Sequence, residues 1–177
     1  MMGVTTSSNT TCFTITEVSE LADTMENEKT VEIVKVIDVP VSEVWAIIAA
    51  FGSEKLWFPG VVQSSLEGFG IGSIRALTFD TGTVVHEKLE IADPKTHTIS
   101  YLILDGVPNT TNPRGTLQLS AVGDNQTRFS WSGQSEWTEP SFKPVLAGIL
   151  EEMFTGCIDA IEKKFQVGRI QPCYLKD

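Results

Sequence analysis

Glu87 stands in the run Thr83-Val84-Val85-His86-Glu87-Lys88-Leu89-Glu90-Ile91. At the strand period of two, Val85, Leu89 and Ile91 share a face with Glu87, while Val84, His86, Lys88 and Glu90 form a solvated face. A carboxylate on an apolar face is costly to desolvate unless it is paired, hydrogen-bonded, protonated or beside a wet cavity. Acids of that kind gather where pockets and general acids or bases lie. The plainer alternatives are an acid at a strand end reaching water, or one held by an internal Arg or Lys.

Strand parity supplies its neighbours. In 73–79, Arg75, Leu77 and Phe79 share a face. A three-residue loop Thr81-Gly82-Thr83, with Gly82 left-handed, sets Leu77 opposite Glu87 and Phe79 opposite Val85. Arg75 then lies diagonal to Glu87, close enough for a charge-assisted contact. It would hold register, tune the carboxylate or anchor a substrate oxygen. The next strand presents Ile99, Tyr101 and Ile103 together. Tyr101 is either a core tyrosine or a hydroxyl donor to a carbonyl or enolate oxygen. In 127–137, Phe129, Trp131, Ser135 and Trp137 share the inner face. Lys35, between Ile33 and Ile37, is a pocket amine or a chain that snorkels to solvent. Asn112 and Arg114, beside a turn, contact a ligand or only shape the loop.

The elements that must position these groups follow from periodicity and turn chemistry. A strand is expected over 31–39, then a helix over 41–51 that starts after Pro40 and stops at Gly52. A short helical or irregular piece covers 54–58. Six strands follow, over 61–66, 73–79, 83–91, 98–104, 116–122 and 127–137. They are punctuated by Asp80-Thr81-Gly82, Asp93-Pro94-Lys95, Asn112-Pro113-Arg114-Gly115 and Gly123-Asp124-Asn125. From Phe142 the apolar steps become three and four, through Val145, Leu146, Ile149, Leu150, Met153, Phe154, Cys157, Ile158, Ile161 and Phe165. This long amphipathic helix needs the sheet as its partner. The result is an α+β fold with an antiparallel sheet of about seven strands curled around a C-terminal helix. A cavity remains where sheet curvature and helix fail to meet. Gly148 and Gly156 fit either a widened cavity or close helix–sheet packing.

Composition excludes several classes. The chain has 177 residues, 41% of them hydrophobic, enough for one domain with a sizeable core. A net charge of −10 argues against nucleic-acid partners and against anionic membrane surfaces. No apolar run is long enough to span a bilayer, and the N-terminus carries no secretory-signal pattern. Cys12, Cys157 and Cys173 form neither a disulfide framework nor a zinc pattern, which fits a reducing, cytoplasmic setting. Residues 1–28 read as a mostly flexible tail, 29–168 as the folded domain, and 169–177 as a C-terminal tail. Gly68-Phe69-Gly70-Ile71-Gly72 joins two strands and is a turn, not a phosphate loop. With His86 outward and His97 in a loop, neither a Ser/His/Asp triad nor a metal site is expected. Any catalysis would need no cofactor. A homodimer is compatible with the sequence.

Several segments carry a family resemblance. Val39-Pro40-Val41-Ser42-Glu43-Val44-Trp45, then Phe51, Gly70-Ile71-Gly72-Ser73-Ile74-Arg75 and Glu87-Lys88-Leu89-Glu90-Ile91-Ala92-Asp93 occur in order. Together with Tyr101, Asn112-Pro113-Arg114 and Trp131 they resemble the START-like, birch-pollen-allergen-like superfamily, in its polyketide cyclase/dehydrase (SRPBCC) branch. The resemblance covers about residues 30–166. It implies a helix-grip fold around an apolar pocket for small lipophilic or polycyclic molecules. Carriers, hormone receptors, aromatase/cyclases and carbon–carbon bond-forming enzymes share it. Set against the plant hormone-receptor branch, the pocket lysine corresponds to Phe58, the Ser-Gly-Leu-Pro-Ala gate to the shorter Asp80-Thr81-Gly82-Thr83-Val84, and the Asn-Tyr-Arg or Asn-Tyr-Lys segment to Asn112-Pro113-Arg114. That argues for a less charged ligand.

Two functions are then expected in competition. One is a cofactor-independent enzyme that cyclises, dehydrates or isomerises a polyketide- or terpenoid-like intermediate. Glu87, Tyr101 and Arg75 would be catalytic, and Phe58, Leu77, Phe79, Val85, Leu89, Ile103, Asn112, Arg114, Trp131 and Met153 ligand-binding. The other is a carrier or sensor of a small hydrophobic molecule.

Overall fold

A computed structural model describes residues 29–168. The tails expected at 1–28 and 169–177 lie outside the described residues, as do Cys12 and Cys173. The elements run β1 (Lys29–Ile37), α1 (Val41–Ile48), a 3-10 turn (Glu54–Leu56), β2 (Val61–Glu67), β3 (Ile74–Phe79), β4 (Val84–Asp93), β5 (Thr98–Ile103), β6 (Thr110–Val122), β7 (Gln126–Trp137), a second 3-10 turn (Pro140–Phe142) and α2 (Lys143–Gly168). The seven strands form one antiparallel sheet in the order β1-β7-β6-β5-β4-β3-β2. This is the α+β helix-grip architecture expected from the sequence.

The helix α2 lies on the sheet's concave side, against β1 and β7. Phe154, Cys157, Ile158 and Ile161 are its buried residues, one stripe at helical spacing. Lys35 on β1 donates to Asp159 (2.5 Å) and Glu162 (3.2 Å) of α2, so it fastens sheet to helix at a half-exposed position and is not a pocket amine. Because α2 favours one end of the sheet, the concave surface of β3 to β5 is left facing a cavity. Gly148 and Gly156 serve neither of their expected purposes. Both lie on the exposed side of α2, where an added Cβ would meet nothing within 4 Å.

β1 lies two residues earlier than expected and α1 ends at Ile48, before the expected 51, and three further differences have local reasons. β6 begins at Thr110, because Asn112-Pro113 forms a bulge inside the strand (Thr111 pairs with Glu136, Arg114 with Gln134) and not a turn before it. Asn112 takes a left-handed φ of 51° there. A second bulge, at Glu90, reverses the parity of β4, so Ile91 is 47% exposed although it was expected inside with Leu89. The β3–β4 loop is Asp80-Thr81-Gly82, closed by Phe79 N–H to the Thr83 carbonyl, with Gly82 at φ 84°. The loop thus starts one residue earlier than expected, because Gly82 takes its last position. Faces are unchanged, but Leu77 pairs with Val85, and Arg75 sits directly opposite Glu87.

Candidate functional site

Direct cross-strand pairing places Arg75 and Glu87 side by side on the concave face, and the structure adds a partner that parity reasoning did not identify. Glu54, in the 3-10 turn after α1, is fully buried. Arg75 Nε donates to Glu87 Oε2 at 2.5 Å, Nη2 contacts the same oxygen, and Nη1 donates to Glu54 Oε1. Glu54 Oε1 also accepts the Gly52 amide (3.2 Å), while its Oε2 is buried without a hydrogen-bond partner in the protein. The guanidinium lies between two rings, 4.2 Å from the Phe51 centroid and 4.6 Å from that of Tyr101. Arg75 is therefore committed on every side. It does not line the cavity, and its contacts are those of a group that holds register and tunes the carboxylate.

Two carboxylates share one cation in this buried cluster. Burial raises the Glu87 carboxyl above the ordinary carboxylate range, against the pull of Arg75, and the charge of Glu54 adds to the rise. Burial disfavours the Arg75 charge, but Glu87 and Glu54 more than offset this and hold it protonated. Only Oε2 of Glu87 engages Arg75. Glu87 also lines the cavity, and Oε1 is the oxygen that Arg75 leaves unengaged.

Tyr101 lies beside this cluster, paired with Leu89 on β4 and Gly115 on β6. A Cβ on Gly115 would stand 2.3 Å from the Tyr101 ring and hydroxyl, so only glycine leaves room for this tyrosine. The Tyr101 hydroxyl accepts from Trp131 Nε1–H (3.2 Å), which leaves its own proton free to donate. Burial, then the Glu87 charge, pushes its ionisation far above the ordinary phenol range. The hydroxyl therefore holds its proton.

The cavity has a volume of about 120 Å³ and a mostly apolar wall. Among the expected ligand-contacting residues, Phe58, Leu77, Phe79, Val85, Ile103 and Met153 line it. Arg114 reaches it too, but its guanidinium turns to the opposite face and grips Glu90 through Nε (2.8 Å) and Nη2 (3.3 Å). Leu89, Asn112 and Trp131 do not line it. Leu89 is core between β3 and β5. Asn112 points to the surface at the bulge, its amide toward Glu136. Trp131 is fully buried behind the wall, stacked on Phe154 at 4.2 Å and 8°. Among the residues not expected at the site are Glu54, Gly115, Phe154, Thr30 and Ser135. Ser135 gave a signal, a hydroxyl on the apolar face with Phe129 and Trp131. Glu54 gave none, because a 3-10 turn has no periodicity to betray an inward acid.

Known proteins share this fold. Residues 28–166 match the family model described as polyketide cyclase/dehydrase and lipid transport. The chain belongs to this family. Its fold is shared with an uncharacterised Bacillus thuringiensis protein (23% identity, 76% of this chain and 97% of that one, TM-score 0.68). It is shared with the Zhui aromatase/cyclase of a Streptomyces species (16%, 76% and 91%, 0.64). Norcoclaurine synthase of Thalictrum flavum, solved with dopamine and hydroxybenzaldehyde, also has it (18%, 80% and 87%, 0.66). Among the described residues no helix is long and apolar enough to cross a membrane, and no cluster of His, Cys, Asp and Glu could hold a metal.

Proposed function

We propose that the protein is a cofactor-independent enzyme of specialised metabolism. It takes a hydrophobic polyketide- or terpenoid-like intermediate into the cavity and promotes its cyclisation, dehydration or isomerisation by general acid/base chemistry. One observation carries this reading. Glu87 lines an apolar cavity with Oε2 fixed on a buried arginine and Oε1 unengaged by it, and burial raises its affinity for a proton. A carboxyl so placed gives a proton to a carbonyl or leaving hydroxyl oxygen, and its carboxylate takes one back from carbon. The Tyr101 hydroxyl, unable to ionise, donates to the oxygen where charge develops. Arg75 and Glu54 are positioning residues, acting only through Glu87. The family description and the aromatase/cyclase neighbour support the reaction class, and the aromatic molecules bound by norcoclaurine synthase support the kind of ligand.

A carrier or sensor is the second reading, favoured by the way Arg75 already occupies both carboxylates and by the lipid-transport part of the family description. Glu87→Gln and Tyr101→Phe separate the two, with turnover and affinity measured on a panel of polycyclic and isoprenoid carbonyl compounds. Lost turnover with retained binding supports the enzyme. Binding without turnover above buffer, in the native protein, establishes the carrier.

A further inference from the structure

The cavity is not apolar throughout. Besides Glu87 and Tyr101 on β4 and β5, it is lined by two hydroxyl residues from the other side of the sheet, Ser135 on β7 and Thr30 on β1. Ser135 is only 2% exposed, and its Oγ is buried without a hydrogen-bond partner in the protein. Thr30 Oγ1 is in the same condition. Their strands are neighbours, with Lys29 opposite Gln134 and Val31 opposite Gly133, so Thr30 falls at the break in register across from Gly133 and Gln134, the two residues before Ser135. The Asn112-Pro113 bulge of β6 lies on the other flank of Ser135, and because it interrupts the ladder there, β6 offers no residue directly opposite. A buried hydroxyl without a partner is unfavourable, and an apolar side chain of similar size would avoid that cost. Two such residues lining one cavity mark a place for an external hydrogen-bonding group.

We infer that Ser135 and Thr30 form a second polar subsite, which binds an oxygen substituent at the end of the ligand remote from Glu87. This rests on the ligand-binding reading of the cavity and narrows it. The ligand is a flat or compact apolar molecule with an oxygen function at each end, such as a phenol or ketone bearing a second distal hydroxyl or carbonyl. A hydrocarbon with one polar terminus leaves one pole unmatched.

The test uses naphthalene, 2-naphthol and 2,6-dihydroxynaphthalene as probes, titrated calorimetrically into the native chain, Ser135→Ala and Thr30→Val. The native chain binds the diol most tightly. Ser135→Ala weakens diol binding about tenfold, Thr30→Val weakens it severalfold, and neither weakens naphthalene. Both variants melt at or above the native temperature, which excludes misfolding as the cause. If the native chain binds the aromatics but both variants keep the native ratio of diol to naphthalene affinity, the subsite is refuted and the ligand cavity stands. If the native chain binds none of the three, the ligand-cavity reading fails and the subsite with it.

Discussion

Removing the shared cation should expose how the Glu54–Arg75–Glu87 cluster is balanced. In Arg75→Met the aliphatic length is roughly kept, but two carboxylates with 0% and 8% exposed side chains lose the cation they share. The repulsion is then relieved chiefly by Glu87, whose hold on a proton burial already strengthens, taking one up. For a carboxyl that ordinarily titrates near about 4.3, protonation at about pH 7 costs about 3.7 kcal/mol, and at about pH 5 only about 1 kcal/mol. Breaking buried ion pairs from one side costs about 3–5 kcal/mol, the same range. Arg75→Met should therefore lose about 4 kcal/mol at about pH 7, a melting-temperature drop of about 8–16 °C for a domain of this size. Lost stacking on Phe51 and Tyr101 adds to it. The loss shrinks by at least about 2 kcal/mol at about pH 5, because protonation there is cheap. Calorimetry or urea unfolding of both proteins at the two pH values measures this. Adding Glu54→Gln and Glu87→Gln to Arg75→Met should abolish the pH dependence of the deficit. A deficit under about 1 kcal/mol at about pH 7, or one that is the same at both pH values, would refute the charge-balance reasoning.

Other consequences are simpler to check. Glu87 binds its proton more tightly folded than unfolded, so between the two titrations the folded state holds more protons and stability falls as pH rises. Glu87→Gln should remove this slope just above the ordinary carboxylate range, as followed by pH-dependent unfolding. Gly115→Ala drives a Cβ to within 2.3 Å of Tyr101, and should cost about 1–3 kcal/mol and displace the ring, seen as lost near-ultraviolet dichroism. Lys35→Met removes half-exposed ion pairs and should change stability by less than about 1 kcal/mol in urea titration. Cys157 is buried with its thiol pushed well above its ordinary range, so peptide mapping should find it alkylated only after unfolding.

Much of this was readable from residue order, and what was not has physical reasons. Alternation places Glu87, Arg75, Leu77 and Phe79 on one face whichever of the two three-residue loops forms, since both keep parity. The choice between them, which turns a diagonal contact into a direct one, depends on which loop position Gly82 takes. Bulges defeat parity outright: Glu90 sends Ile91 outward, and Asn112-Pro113 looks like a turn because the same residues serve both. Distance along the chain hides Glu54, which meets Arg75 only when the segment after α1 folds against β3. The amphipathic stripe of α2 is legible, but not which end of the sheet it favours, and that decides that Trp131 is core while Ile103 lines the cavity.

The most direct test of the central claim follows the Glu87 carboxyl itself. Carbon-13 NMR of glutamate-labelled protein, assigned with Glu87→Gln, reports its titration with and without 2-naphthol. Glu87 should titrate above the ordinary carboxylate range and change its shift and titration when the cavity fills. A Glu87 that titrates in the ordinary range and ignores a bound aromatic would contradict its role as the proton-carrying group of the cavity.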